Sequence, residues 1–117
     1  MDLRGHLDLM LLATLRDGGP AHGYAIISRL RERSSGAFDL PEGTVYPALH
    51  RLERDGLVFS EWDANAPRRR RVYRLTVAGA QALAAKRRDW RNFARGMQAV
   101  LGESVEAVLG QSVAGEA

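Results

Sequence analysis

Gly43-Thr44-Val45-Tyr46-Pro47-Ala48-Leu49-His50-Arg51-Leu52-Glu53-Arg54-Asp55-Gly56 is the stretch whose reading decides the fold. Val45, Leu49 and Leu52 fall on one face at spacings of four and three, which predicts a helix over about 42–55. Asp55-Gly56 supplies its stop. Pro47 lacks a backbone donor, so its place is expected near the first turns, where that loss is small. The opposite arc carries Gly43, Thr44, Pro47, His50, Arg51 and Arg54. Small residues there let a groove approach closely, and Thr, His and Arg side chains can bond base edges or phosphates. Tyr46, beside the buried stripe, is expected both to pack and to offer its hydroxyl to a phosphate.

Downstream, Leu57 to Trp62 and Arg70 to Leu75 are β-rich and read as two strands. Asp63 to Arg69 forms the hairpin tip between them. On the second strand Tyr73 and Leu75 are expected to face the core. Arg68, Arg69, Arg70 and Arg71 cluster at the tip, suited to phosphate or minor-groove contact. Upstream, residues 5–17 read as a first helix with Leu7, Leu11, Thr14 and Leu15 at helical spacing. Leu9, Met10 and Leu12 widen its apolar surface until it needs cover on two sides, the second expected from another subunit. Asp17-Gly18-Gly19-Pro20 breaks it. A second helix fits 23–33, with Tyr24, Ile27 and Leu30 as its buried stripe and Ser34-Ser35-Gly36 as its close.

Three helices followed by a hairpin is the order of a winged helix-turn-helix, so the fold class is mainly α with a small β-hairpin. Thr76 is a candidate N-cap for a last helix over 77–101. Leu83, Lys86, Trp90, Phe93, Met97 and Val100 step along it by threes and fours, matching heptad a and d positions with Lys86 as the polar exception. The expected organisation is a DNA-binding domain at 1–76, a dimerisation helix at 77–101, and a tail at 102–117 with a short helical turn around 103–109. The last helix is expected to pack on the first and last helices of a second copy, with Leu11, Leu83, Trp90, Phe93, Met97 and Val100 at the seam.

Charge distribution sharpens the functional reading. The 117 residues carry a net +3, but residues 68–95 hold ten Lys or Arg against one acid, Asp89. The flanks, 1–67 and 96–117, are each mildly acidic. A basic middle between acidic flanks points to a localised polyanion contact. With no cysteine, disulfides and thiolate chemistry are excluded. His6, His22 and His50 lie in separate segments without ligand-spaced partners, so no metal site is expected, and His22 reads instead as ordering the turn into the second helix. Ser60, Glu61 and Asp63 have no positioned base, and neither catalysis nor a cofactor is expected. Gly43 has no Walker pattern around it, and Glu53 is read as a salt bridge or cap. Leu9 to Leu12, the longest early apolar run, is too short to span a bilayer, so a cytoplasmic address without membrane contact is expected. A winged helix used for protein contacts alone remains the alternative, distinguished by the absence of salt-dependent DNA affinity.

Several segments together resemble the PadR-type transcriptional regulators. They are His22-Gly23-Tyr24, the run from Gly43 to Glu53, Gly56-Leu57, and Tyr73-Arg74-Leu75-Thr76 with Gly79. The resemblance covers residues 5 to about 80, and the short C-terminal region is similar to the subgroup with one dimerising helix. At the wing tip, Ala66-Pro67 and four arginines stand where a glycine-containing turn is usual. The resemblance implies a dimeric repressor whose third helix enters the major groove of a near-palindromic operator while its wing touches the flanking backbone. Thr44, Tyr46, His50 and Arg51 match the recognition-helix motif. It further implies response to a small hydrophobic or aromatic effector near the dimer interface, for which Trp90, Phe93 and Met97 are the candidates.

Overall fold

The computed structural model describes residues 3–103. Its elements run α1 (Leu3–Gly18), α2 (Gly23–Arg33), α3 (Glu42–Arg54), β1 (Val58–Trp62), β2 (Arg71–Leu75) and α4 (Val77–Leu101). The expected turn at 103–109 and the rest of the tail lie outside the described residues, apart from Gly102 and Glu103. Contacts divide the chain at Ala84, within α4, into Met1–Ala84 and Ala85–Ala117.

The first unit is built around one apolar core. Leu7, Leu11, Leu12 and Leu15 of α1 meet Ile26 and Ile27 of α2, Val45, Ala48, Leu49 and Leu52 of α3, Val58, Tyr73 and Leu83. Each large apolar side chain buried this way contributes about 1.5–3 kcal/mol. Thr14 is buried among them, and its hydroxyl donates to the Met10 carbonyl at 2.7 Å, the pairing a buried polar group requires. Two expectations are corrected here. Leu11 is 0 % and Leu83 1 % exposed within a single chain, so neither has surface to lose on pairing with a second copy. On α2 the inward positions are Gly23, Ile26, Ile27 and Leu30, while Tyr24 is 61 % exposed.

Local chemistry sets the element ends. His22 caps α2 by accepting the Ala25 N–H on Nδ1 at 3.3 Å. At the end of α3, Gly56 adopts φ +77° and its N–H reaches the Glu53 carbonyl, while the Leu57 N–H bonds the Leu52 carbonyl at 2.9 Å. This Schellman closure turns the chain into the hairpin. It also engages the Leu57 N–H, which is why β1 starts at Val58 rather than Leu57. Thr76 caps α4 by accepting the Gly79 N–H at 2.9 Å and donates to the Gly56 carbonyl at 2.7 Å.

β1 and β2 pair antiparallel with Val58 opposite Leu75, Ser60 opposite Tyr73 and Trp62 opposite Arg71. Ala21, in the α1–α2 connection, adds a further bridge by exchanging both backbone bonds with Tyr73, at 3.1 and 2.8 Å. The hairpin is thereby tied to the start of α2. In the second unit, the remaining turns of α4 carry Trp90 and Phe93 with ring centroids 5.9 Å apart, beside Met97. All three are 43 % exposed. Gly102 at φ +76° closes this helix, with the Glu103 N–H on the Gln98 carbonyl. Among the described residues no helix is long and apolar enough to cross a membrane.

Candidate nucleic-acid interface

Burying Val45, Ala48, Leu49 and Leu52 turns the opposite face of α3 outward. Gly43, Pro47, His50 and Arg54 are exposed along it, at intervals of four, three and four, and Thr44 is half-buried at the edge. Pro47 is the sixth residue of α3, in its second turn, near the helix start as expected. The missing donor leaves the Gly43 carbonyl without an intrahelical partner, and both residues face solvent, where that carbonyl is readily satisfied.

Arg51 departs from the expected arc. Its guanidinium pairs with the Asp8 carboxylate of α1, and the two side chains are 15 % and 14 % exposed. It holds α3 to α1 instead of standing open beside His50. Tyr46 is half-buried against α2, where a Cβ at Gly23 would collide with its ring. Burial, then the charge of Glu42, pushes the Tyr46 hydroxyl above its ordinary pKa. The exposed Tyr24 hydroxyl is raised chiefly by its hydrogen bond with Glu42.

Between α3, the start of α2 and the hairpin lies a cleft of about 460 Å³, lined by His22, Gly23, Tyr24, Tyr46, His50, Tyr73 and the four arginines Arg68 to Arg71. The fold therefore brings His50, Tyr46 and all four wing arginines to one concavity. Thr44, Pro47 and Arg54 are outside its lining, with Pro47 and Arg54 on the exposed face of α3. His22 is held below its ordinary pKa by burial and next by the charge of Arg70, which favours the neutral ring whose Nδ1 accepts.

The wing arginines are not held alike. Arg70 pairs with Asp63 at 3.4 Å, and the Asp63 N–H closes the tip on the Arg70 carbonyl at 2.9 Å. Arg69 and Arg71 lie over the Trp62 ring, 4.3 and 4.5 Å from its centroid. Arg71 also donates to Ser60 Oγ at 3.0 Å. Sequence reasoning passed over Trp62, Ser60, Tyr24 and Asp8 in this role. For Trp62 a signal existed, since two antiparallel strands joined by a short tip place it opposite Arg71. For Asp8 there was none, because its partner lies 43 residues away.

A tri-helical unit with a hairpin wing and a cationic cleft beside its third helix defines a winged-helix transcriptional regulator. The chain belongs to the Transcriptional regulator PadR-like family, which it matches over residues 11–85. It is 48 % identical over 65 residues to Transcriptional regulator Rv3488 of Mycobacterium tuberculosis (strain ATCC 25618 / H37Rv), a match covering 56 % of this chain and 61 % of that protein. The chain thus spans about three-fifths of that curated relative. Among solved structures, a PadR family transcription regulator from hypervirulent Clostridium difficile R20291 is 33 % identical, with a TM-score of 0.72 over 82 % of this chain and 98 % of that one. A transcriptional regulator from Clostridium thermocellum, 28 % identical, has a TM-score of 0.75 over 82 % and 90 %.

Proposed function

We propose that this chain is a homodimeric repressor that binds a near-palindromic double-stranded operator and releases it to a small aromatic or hydrophobic effector. The observation that carries the DNA contact is the gathering of His50 and Arg68 to Arg71 around one cleft at the outward side of α3. In this reading α3 enters the major groove with Thr44, Pro47, His50 and Arg54 toward the bases, and Tyr46 reaches a phosphate. Arg51 acts from behind, by fixing the helix. Arg68 to Arg71 supply charge to the flanking backbone.

Pairing through α4 is supported by the stripe of Trp90, Phe93, Met97 and Val100, all exposed on a single chain and set at heptad spacing. A second copy of the same stripe is the natural occupant, and the dimer then presents two copies of α3 about 34 Å apart, one turn of duplex. The stacked Trp90 and Phe93 with Met97 offer flat, adaptable surface for an aromatic effector. Such a ligand releases DNA by preferring the geometry that does not fit the operator, and about 1.4 kcal/mol of coupling gives tenfold. Acting on chromosomal DNA gives the protein a cytoplasmic address.

The test is selection of bound duplexes from a random pool, followed by fluorescence anisotropy across salt. A near-palindromic consensus and a steep salt dependence are expected. Replacing Arg68 and Arg69 by Ala lowers the salt slope by about 2, since each phosphate contact contributes about 0.9. Absence of salt-dependent binding to any duplex refutes the proposal and favours a protein-interaction module.

A further inference from the structure

Trp62 is 51 % exposed and belongs to no core cluster, yet two wing guanidiniums converge on it. Resting on the DNA-binding reading above, we infer that Trp62 is a positioning residue that, with Ser60 and Glu53, presents Arg69 and Arg71 to the DNA backbone in fixed relation to α3.

The connections run without a break from helix to wing. Glu53, in the last turns of α3, accepts both the backbone N–H of Ser60 at 2.9 Å and its hydroxyl at 2.6 Å. Ser60 Oγ, having donated to Glu53, accepts from Arg71 at 3.0 Å. Arg71 lies over Trp62, and Arg69 over the same ring. At Ser60 Oγ one donor and one acceptor role are used, each in the sense a hydroxyl allows.

The choice of tryptophan has a chemical reason. Arg70 and Arg74 are held by Asp63 and Glu61, which neutralise part of their charge and occupy guanidinium edges. An indole holds a guanidinium by its face, leaving the charge whole and most in-plane N–H donors free. Arg69 and Arg71 are therefore ordered before DNA arrives, with one Arg71 donor already given to Ser60 Oγ. An anionic oxygen is the acceptor that the in-plane donors of an ordered guanidinium suit. A phosphate is the duplex group that fits.

The experiment compares Trp62→Leu, Trp62→Phe and Ser60→Ala with the unaltered full chain, using a duplex recovered by selection and a random-sequence duplex of equal length. Circular dichroism and melting verify that each variant is folded. Because every charge is retained, Trp62→Leu weakens binding to both duplexes about tenfold while the slope of log affinity against log salt stays within one unit of the parent. Trp62→Phe retains a π face and loses about threefold or less. Ser60→Ala, which leaves the ring untouched, gives a smaller loss at the same slope. In an Arg69→Ala/Arg71→Ala background, Trp62→Leu has no further effect. Unchanged affinity in Trp62→Leu overturns the inference. So does a loss that persists in the arginine-free background, which would mean that Trp62 touches DNA itself. Failure of the unaltered protein to bind either duplex refutes the DNA reading and this inference with it.

Discussion

Replacing Arg51 by Ala is expected to be, first of all, a stability change. The residue projects from α3, and the sequence pattern would make it a base-reading arginine whose removal costs about 1–3 kcal/mol on the cognate site and relaxes one position. In the folded chain its guanidinium is engaged by Asp8, with both side chains about one-seventh exposed. Truncation leaves the Asp8 carboxylate in a poorly hydrated place without its counter-charge. Hydrogen bonds to charged groups are worth about 1.5–3 kcal/mol, and breaking a fully buried pair costs about 3–5. The residual exposure here admits some water, so about 2 kcal/mol is the expected loss. For a unit the size of Met1–Ala84 each kcal/mol moves Tm by about 4–8 °C, giving a drop of about 8–16 °C. The assay is thermal and urea unfolding at one fixed protein concentration, because pairing of chains makes Tm concentration-dependent. Asp8→Ala/Arg51→Ala should recover part of the loss, with a coupling of about 1–2 kcal/mol. Melting unchanged in Arg51→Ala, together with lost discrimination at one base position, would falsify the clamp and restore Arg51 to the DNA contact.

Three further outcomes follow from the geometry. His22 is held below its ordinary pKa of 6.5, so the stability of its neutral cap is present above that value and is lost as pH falls through the lowered folded one; the sensitivity lies below about pH 6.5. His22→Asn, a cap that does not titrate, should remove a cap loss of about 1 kcal/mol from the acid limb of urea titrations, and an unchanged limb would discount the residue. Gly79→Ala would drive a Cβ into the Leu57 carbonyl oxygen, a backbone atom held by the Thr76 N–H. Its loss should reach about 3 kcal/mol, the upper end of ordinary overpacking, and a normal melt would show the α4 start to be more yielding than that. Trp90→Glu/Phe93→Glu should sediment as a monomer, or fall out of solution, where the parent runs as a dimer; a parent that is monomeric at micromolar concentration removes the seam.

Much of the local architecture was legible because its causes are local. The span of α2 at 23–33 follows from its flanking breakers, and that of α4 from Thr76 as cap and a long heptad-like pattern interrupted only at Lys86. The end of α3 follows from Asp55-Gly56, where φ +77° favours glycine. Of the α2 stripe read from the sequence, Tyr24 is exposed and Ile26, left out of it, is fully buried; both lie near the helix start, where period alone does not say which flank the neighbouring element covers. Pro47 stands deeper in α3 than local propensity prefers, and solvent on the Gly43 carbonyl side explains why the helix continues.

By itself, then, the sequence determined the order of helices and strands, the inward stripe of Val45, Leu49 and Leu52, and the identity of the cationic segment at 68–71. Those depend on periodicity and on residues within a few positions of one another. Tertiary structure alone decided the partners. It assigned Arg51 to Asp8, Ser60 to Glu53, Arg69 and Arg71 to Trp62, and Ala21 to Tyr73, and it withdrew Leu11 and Leu83 into the core. The physical reason is that a guanidinium or a leucine carries the same propensity whichever surface it finally meets. Which carboxylate, ring or apolar face lies within reach is fixed only when elements far apart in the chain pack together.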